Sequence, residues 1–332
     1  MSSRAEARSA VVEGRVFLTG ASGFVGAHVL RELLNAGYRV RALVRSRSLP
    51  PRAPSLPRDE RLEIVEGDLR NAGAFAKALE GCRYVVHTAA LYSFTPRDRS
   101  AMHAVNVTGT ESLLAAAHLA GVERAVLTSS SSTLAEVPHG DAYHASKIVQ
   151  ERTAFASRVP VVALLPTAPI GPGDWKPTPT GKLVLDFLRG RITAKAPGSG
   201  GMNLVAVEDV ASAHVAALTR GRPGERYALG GENLSMDAIW ELLASATGKP
   251  MPSWRAPYPL ALATAYVDEI RCRVQPGAVP FAPLEGVRLA RERMYADSSK
   301  AIEELGFRPS PAQAAIERAV AWYRDSSEQT RQ

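Results

Sequence analysis

The chain has 332 residues and a mass of 35.5 kDa, enough for one large domain or two smaller ones. Its 45% apolar and 22% charged content is typical of globular proteins, and two cysteines exclude a disulfide framework. The net charge of +7 is uneven, because residues 1–60 hold ten arginines and five acids. We interpret this as a solvated arginine-rich surface rather than a nucleic-acid site. A polar N-terminus and the lack of a long apolar run predict a cytoplasmic location without an integral membrane segment.

The first half of the chain alternates between strand and helix patterns. Residues 1–13 are expected to form a disordered leader. The predicted strands are RVFLTG, YRVRALVR, RLEIVEGD, RYVVHTAA, ERAVLTSS and VPVVALLP. The predicted helices are FVGAHVLRELLNAG, NAGAFAKALEG, SAMHAVNVTGTESLLAAAHLAG and DAYHASKIVQERTAFASR. Apolar strands that alternate with helices predict an α/β fold, a Rossmann-type doubly wound parallel sheet.

The pattern changes after residue 167. The Pro/Gly-rich stretch PTAPIGPGDWKPTPTG is expected to be irregular, and later helices mix with short strands. We therefore predict a dinucleotide-binding domain over 14–167, with contributions from about 203–231. A smaller, mostly C-terminal substrate-binding part is expected over 168–202 and 232–328. The apolar helix YPLALATAYV is interpreted as a wall or an interface, with a lipid-facing patch as the alternative.

The first motif is TGASGFVG, which follows a predicted strand and opens a helix. Gly20, Gly23 and Gly26 recur at every third position. Glycines here allow a tight turn and close approach of a pyrophosphate to the backbone, while the helix N-terminus offers free N–H groups. The motif therefore indicates nucleotide binding, although a glycine-rich turn alone has a purely structural explanation.

The ends of the second and third strands bear on the choice of cofactor. An NAD-binding chain commonly places an acid after the second strand, but this sequence has Arg45 and Arg47. Because a guanidinium suits a 2′-phosphate, the sequence favours NADP, with NAD as the alternative and solvated arginines as the structural explanation. Asp68, which ends the third strand, is expected either to accept from the adenine amine or to cap the next helix.

The stretch TSSSSTLAEVPHGDAYHASK holds the candidate catalytic residues. Ser130 lies at the end of a predicted strand, and Tyr143 follows it by thirteen residues. Tyr143 and Lys147, four positions apart, would share one face of a helix. A tyrosine pKa is ordinarily near 10, and a nearby ammonium lowers it. Tyr143 could then exchange a proton with a substrate oxygen that a strand-end hydroxyl holds. Ser131, Ser132 and Thr133 are rivals to Ser130 for that role.

In this order, the glycine turn, the strand-end serine and Y-x-x-x-K resemble the extended branch of the short-chain dehydrogenase/reductase superfamily. HTAA, VNVTGT and PTAPIGPGD extend the resemblance over nearly the whole chain. It is closest to hopanoid-associated sugar epimerases and dihydroflavonol 4-reductases. The catalytic residues that the resemblance implies are Ser130, Tyr143, Lys147 and, for the lysine's water network, Asn106. The dinucleotide-binding residues that it implies are Gly20, Ser22, Gly23, Phe24, Val25, Gly26, Arg45, Asp68, Leu69, Thr88, Ala89, Ala90, Tyr143, Lys147, Pro166 and Thr167.

Two departures from the family pattern bear on the substrate. The span LAEVPHGD before Tyr143 is short for the extended branch, which predicts a more open substrate site. Nucleotide-sugar epimerases also carry an arginine where this chain has Met202, and Arg288 or Arg291 is a candidate to replace it.

We therefore expect an NADP-preferring oxidoreductase that acts on a small-molecule carbonyl or alcohol. A nucleotide-sugar epimerase or dehydratase with tightly bound NAD is the first alternative, and a non-catalytic dinucleotide sensor is the second. The resemblance also implies a homodimer. We interpret His87 as structural and His139 and His144 as solvent-facing, and no residue cluster has metal-ligand spacing.

Overall fold

The computed structural model describes residues 14–48, 53, 55–93, 98–134, 142–195, 197–198, 200–275 and 284–328. The predicted leader, His139 and most of LAEVPHGD therefore lie outside the described residues. The chain divides into two compact units. The first comprises the residues up to Thr167, Val207–Leu229 and Ser298–Arg308, and the second Ala168–Ala206, Gly230–Asp297 and the residues from Pro309 onward. Ser298–Arg308 thus lies with the first unit, although the sequence placed it in the substrate-binding part.

The first unit is built on a seven-stranded sheet in which every neighbouring pair is parallel. Its strands are β1 (Arg15–Thr19), β2 (Arg39–Val44), β3 (Leu62–Glu66), β4 (Cys82–His87), β5 (Arg124–Thr128), β6 (Val161–Pro166) and β9 (Arg226–Leu229). Its helices are α1 (Phe24–Asn35), α2 (Arg99–Met102), α3 (Gly109–Leu119), α4 (Ala142–Phe155), α6 (Val207–Arg220) and α10 (Ser299–Leu305). The order β3-β2-β1-β4-β5-β6-β9 confirms the predicted doubly wound fold.

This strand order positions a site at one edge of the sheet. The chain winds outward from β1 in one direction to β2 and β3, and then in the other direction from β4. Ligands of such sheets bind outside the carboxyl ends of the strands, at the point where the order reverses. The central strands are buried on both faces, as the apolar runs predict. The motifs after β1, β4 and β5 therefore face one region.

Two predicted helices of the first unit are less regular than expected. NAGAFAKALEG forms two short 3₁₀ segments, Ala72–Ala74 and Ala76–Leu79. The long helix predicted over 100–121 is interrupted by a π segment, His103–Thr108, between α2 and α3. A π turn adds a residue to one turn of a helix and is common at functional sites. Here the segment contains Asn106, a candidate site residue.

The second unit has a small mixed sheet and its own core. Its strands are β7 (Ala168–Ile170), β8 (Gly201–Ala206), β10 (Glu232–Ser235) and β11 (Arg293–Met294). Its helices are α5 (Pro179–Leu188), α7 (Met236–Thr247), α8 (Tyr258–Val274), α9 (Leu284–Leu289) and α11 (Ala312–Glu328). Helices α5, α7 and α11 enclose an apolar cluster around Trp240 and Phe187. Because β7 pairs with β8, the expectation that PTAPIG is irregular was wrong for its first residues. Among the helices of the described residues, none combines the length and apolar content needed to span a bilayer.

Candidate functional site

The glycine turn after β1 has the backbone geometry that a nucleotide-binding turn requires. Gly20 has a φ of +79°, a conformation that side chains disfavour. A Cβ on Gly26 would lie 2.0 Å from the Gly20 carbonyl oxygen, so only glycine allows this contact between turn and helix. Gly23 is the N-cap of α1, without a side-chain cap and without an acid in the first turn. The turn therefore leaves the N–H end of α1 open to a phosphate.

Residues at the ends of β2 and β3 extend this region. Arg45 is exposed and makes no hydrogen bond to another described residue, whereas Arg47 donates to the Ile64 carbonyl over 2.8 Å. The Asp68 carboxylate accepts from the backbone and guanidinium of Arg70, which lowers the pKa of Asp68 to about 2. The predicted helix cap at Asp68 was wrong, since the next helical segment is capped at residue 71. Asp68 is ionised and can accept a hydrogen bond, as an adenine contact requires.

Other predicted cofactor residues lie at the carboxyl ends of β4 and β6. Thr88 Oγ1 donates to the Thr19 carbonyl over 2.8 Å, and the Ala89 N–H donates to Thr19 Oγ1 over 3.3 Å. Thr167 follows β6, and its N–H donates to the Leu229 carbonyl over 3.1 Å. The remaining members of the predicted set are Ser22, Phe24 and Val25 in the first turn region, Leu69 after β3, Ala90 after β4, and Pro166 in β6.

In the serine turn after β5, the side chains of residues near Ser130 already have hydrogen-bond partners within the protein. Ser129 is buried, and its hydroxyl donates to Glu151 Oε2 over 2.6 Å. Thr133 is also buried and bonded to the Ser130 carbonyl, so it is a poor rival for a substrate oxygen. The N–H and hydroxyl of Ser132 donate to Ser130 Oγ over 3.2 and 2.9 Å. With Ser132 as the donor, the Ser130 hydroxyl keeps its own proton for another acceptor.

Tyr143 and Lys147 lie one turn apart on α4, as predicted. Lys147 Nζ lies 6.0 Å from the centroid of the Tyr143 ring. The ring of Tyr92 meets Tyr143 edge to face, with centroids 4.5 Å apart, and Tyr92 is 38% exposed. An ammonium at this range stabilises a phenolate, and the neighbouring ring fixes the orientation of the phenol.

Burial dominates the chemistry of Lys147, which is only 2% exposed. Its ammonium donates to the Thr128 carbonyl and to Gln150 Oε1, each over 2.8 Å. Desolvation lowers the pKa of Lys147 to about 7, and the charge of Glu151 opposes that shift. Lys147 therefore changes its charge near neutral pH, in contact with the strand that carries the serine turn.

A chain of hydrogen bonds connects Lys147 to the π segment. Gln150 Nε2 donates to Thr110 Oγ1 over 2.9 Å, and that hydroxyl donates to the Asn106 carbonyl over 2.6 Å. The Asn106 side chain bonds to the N–H and the carbonyl of Leu91 and to Ser146 Oγ. The predicted water network is not tested, but side chains already bridge Asn106 and Lys147. Asn106 also braces the loop that follows β4.

The structure gives different outcomes for the roles predicted for His87 and His144. His87 is buried between Thr19 and Thr110, and burial lowers its pKa to about 3, so it is neutral. His144 is only 1% exposed, so the prediction that it faces solvent was wrong. It shares a helical stripe with Lys147 and Glu151, and this stripe is buried. Among the described residues, no group of three or more His, Cys, Asp or Glu could hold a metal ion.

Sequence reasoning missed three residues of this region: Tyr92, Gln150 and Glu151. Gln150 and Glu151 follow Lys147 by three and four positions, so helical spacing places them on its face. That spacing was a usable signal. No pattern could have identified Tyr92, because its contact with Tyr143 arises from the fold.

Comparisons with known proteins show the family and the fold of the chain. Residues 16–230 match the model of the NAD dependent epimerase/dehydratase family. A Synechocystis protein provisionally described as a dihydroflavonol 4-reductase is 39% identical, over 93% of this chain and 94% of its own. Sterol demethylase protein B of Methylococcus capsulatus is 34% identical, over 93% and 98%. The solved structure of gox2253 is 33% identical with a TM-score of 0.76, and the match covers 94% of this chain and 98% of that one.

Proposed function

The chain belongs to the NAD-dependent epimerase/dehydratase family, and we propose that it is an NADP-preferring oxidoreductase. Its cofactor is a nicotinamide dinucleotide, and its substrate would be a ketone, an aldehyde or a secondary alcohol. The observation that carries the proposal is the buried Lys147 beneath the Tyr143 ring, on a helix hydrogen-bonded to the turn of Ser130. The Synechocystis relative is provisionally described as a reductase, which is the type of activity proposed for this chain.

The dinucleotide would be held by the glycine turn, the open end of α1 and the residues after β2 and β3. When bound, it supplies or accepts the hydride. In the reductive direction, Ser130 would donate a hydrogen bond to the carbonyl oxygen and Tyr143 would transfer its phenolic proton to that oxygen. The Lys147 ammonium would stabilise the phenolate that remains. In the oxidative direction, the phenolate of Tyr143 would take the proton of the alcohol.

Arg45 supports the preference for NADP. Its guanidinium is exposed at the carboxyl end of β2, where an acid would favour NAD. Arg47 is bonded to the Ile64 carbonyl, so Arg45 is the better candidate for a 2′-phosphate. Arg45→Ala should weaken NADPH at least about tenfold more than NADH, since a charge-assisted pair is lost. Equal weakening of both would contradict the preference.

Substrate-side residues favour a reductase over a nucleotide-sugar epimerase. Met202 on β8 packs against the apolar cluster of the second unit, where epimerases are expected to present an arginine. Of the two candidate replacements, Arg291 lies over the Tyr258 ring at 4.8 Å and Arg288 lies 3.4 Å from the Tyr266 hydroxyl. Both therefore contact α8 within the second unit.

The test uses the purified wild-type protein and Tyr143→Phe with NADPH and a panel of ring and open-chain ketones. We expect the wild type to oxidise NADPH with at least one ketone and the variant to lose turnover while it still binds NADPH. Glu123→Gln, in an exposed ion pair with Arg83, is the control and should match the wild type. Stoichiometric NAD released on denaturation, without NADPH oxidation, would support the epimerase instead. Binding of NADPH with no turnover on either assay would favour the sensor.

A further inference from the structure

A partly buried ion pair outside the predicted site joins α4 to β9. Glu151 Oε1 lies 2.6 Å from Arg226 Nε, and the two side chains are 9% and 38% exposed. Arg226 begins β9, and Glu151 lies one turn after Lys147 on α4. The pair therefore links the helix of Tyr143 and Lys147 to the far edge strand.

Glu151 and Arg226 also form hydrogen bonds with the serine turn on both sides of Ser130. Glu151 Oε2 accepts from Ser129 Oγ over 2.6 Å and lies 3.1 Å from Thr133 Oγ1. Arg226 Nη2 donates to the carbonyl and to the hydroxyl of Thr133 over 2.7 and 2.9 Å. Ser130 lies between these two anchored residues, and its own carbonyl accepts from the N–H of Thr133. Glu151 and Arg226 thus connect the residues around Ser130 to α4 and β9.

We propose that Glu151 and Arg226 are positioning residues, which place the Ser130 hydroxyl and hold the charge of Lys147 for the reaction. The inference rests on the proposed function, since it assigns the support of that same site. Neither residue needs to contact substrate. A charge pair with a buried carboxylate that contacts three groups of one turn is suited to fixing geometry.

The charge of Lys147 depends on the titratable and charged groups that surround it. Glu151 raises the pKa of Lys147, against the larger effect of burial. From the neighbouring elements, His87 on β4 and His214 on α6 have pKa values lowered by burial to about 3 and about 4, so both are neutral in the working range. Arg226, on β9, contributes a positive charge beyond Glu151. Glu151 is thus the charge that favours the protonated form of Lys147, against the larger effect of burial.

The test compares Glu151→Gln and Thr133→Val with the wild type, in the oxidative direction on an active alcohol. Glu151→Gln should lower kcat at least about tenfold, because misplacement of about 1 Å is costly in catalysis. The acid limb of the variant's pH–rate profile should move to higher pH by about half a unit, since a less charged Lys147 stabilises the Tyr143 phenolate less. Thr133→Val keeps both charges and should lower kcat without moving the limb. NADPH affinity should stay within about twofold in both variants.

The outcomes separate the inference from the proposed function. If the wild type turns over and Tyr143→Phe does not, while Glu151→Gln matches the wild type in kcat and limb, the positioning role is wrong. A purely structural role predicts a lower unfolding midpoint with kcat and the limb unchanged, and this too would overturn it. If Glu151→Gln does not fold, a Thr133→Val variant with wild-type kcat overturns the inference and one with reduced kcat supports it. Glu123→Gln is the matched control, because it removes an exposed carboxylate that pairs with an arginine.

Discussion

Replacing Lys147 with methionine tests whether its ammonium is buried as the structure shows. Methionine has a similar volume and no charge, so the variant removes the desolvation of the lysine. In the folded protein the pKa of Lys147 is about 7, against an ordinary value of 10.5. A lysine whose pKa is lower in the folded state does not reduce the stability of the protein at pH values above its unfolded pKa. The loss of stability grows as pH falls and is complete below the folded pKa, because the unfolded chain binds more protons.

The magnitude follows from the two pKa values. Linkage gives a cost of about 4 to 5 kcal/mol at pH 6.5 and about 2 kcal/mol at pH 9. The methionine variant also loses the bonds to the Thr128 carbonyl and Gln150, but neutral and charged lysine both donate there. That loss is therefore nearly the same at both pH values. The stability of the variant relative to the wild type should be greater at pH 6.5 than at pH 9 by about 2 to 3 kcal/mol.

The assay must report on the first unit. All four tryptophans lie in the second unit, so their fluorescence would follow the wrong transition. Cys82 lies on β4 and is 3% exposed, so pulse labelling of this thiol during urea denaturation reports opening of the correct core. Cys272→Ser provides the background for both proteins. An equal stability difference at pH 6.5 and pH 9 would show that Lys147 does not have a depressed pKa.

Three further predictions concern the supports of the site. Gly26→Ala should abolish NADPH binding in a titration, because its Cβ would lie 2.0 Å from the Gly20 oxygen; unchanged affinity would contradict the turn geometry. Gln150→Glu should raise the pKa of Lys147 and move the acid limb of alcohol oxidation to lower pH, whereas a limb that moves upward would contradict the contact. Asn106→Ala should lower the free energy of unfolding by about 1 to 3 kcal/mol, since the partly buried backbone groups of Leu91 lose their partner. An unaltered urea midpoint would refute the last prediction.

The sequence was sufficient for the sheet and for the order of the motifs. Apolar strand runs and glycine-terminated helices are local signals, and the turn of Gly20 and Gly26 is dictated by sterics that only glycine satisfies. The i, i+4 relation of Tyr143 and Lys147 also follows from helix geometry alone. These features could be predicted because each depends on neighbours in sequence.

What the sequence missed depends on tertiary packing. His144 was expected to face solvent, yet α4 is buried along the stripe that His144 shares with Lys147. A helix cap was one of the two roles expected for Asp68, but its carboxylate accepts from the Arg70 guanidinium and caps no helix. The link from Glu151 to Arg226 joins residues that are distant in sequence, and no local pattern encodes it.

The most direct test of the account is a crystal structure of the protein with NADP and a ketone or alcohol that it turns over. The account predicts that Ser130 Oγ and the Tyr143 hydroxyl both lie within about 2.6 to 3.2 Å of one substrate oxygen. It also predicts that the Lys147 ammonium lies beside Tyr143. A substrate oxygen held by neither hydroxyl, or a Ser130 turned away from Tyr143, would contradict the Ser-Tyr-Lys mechanism.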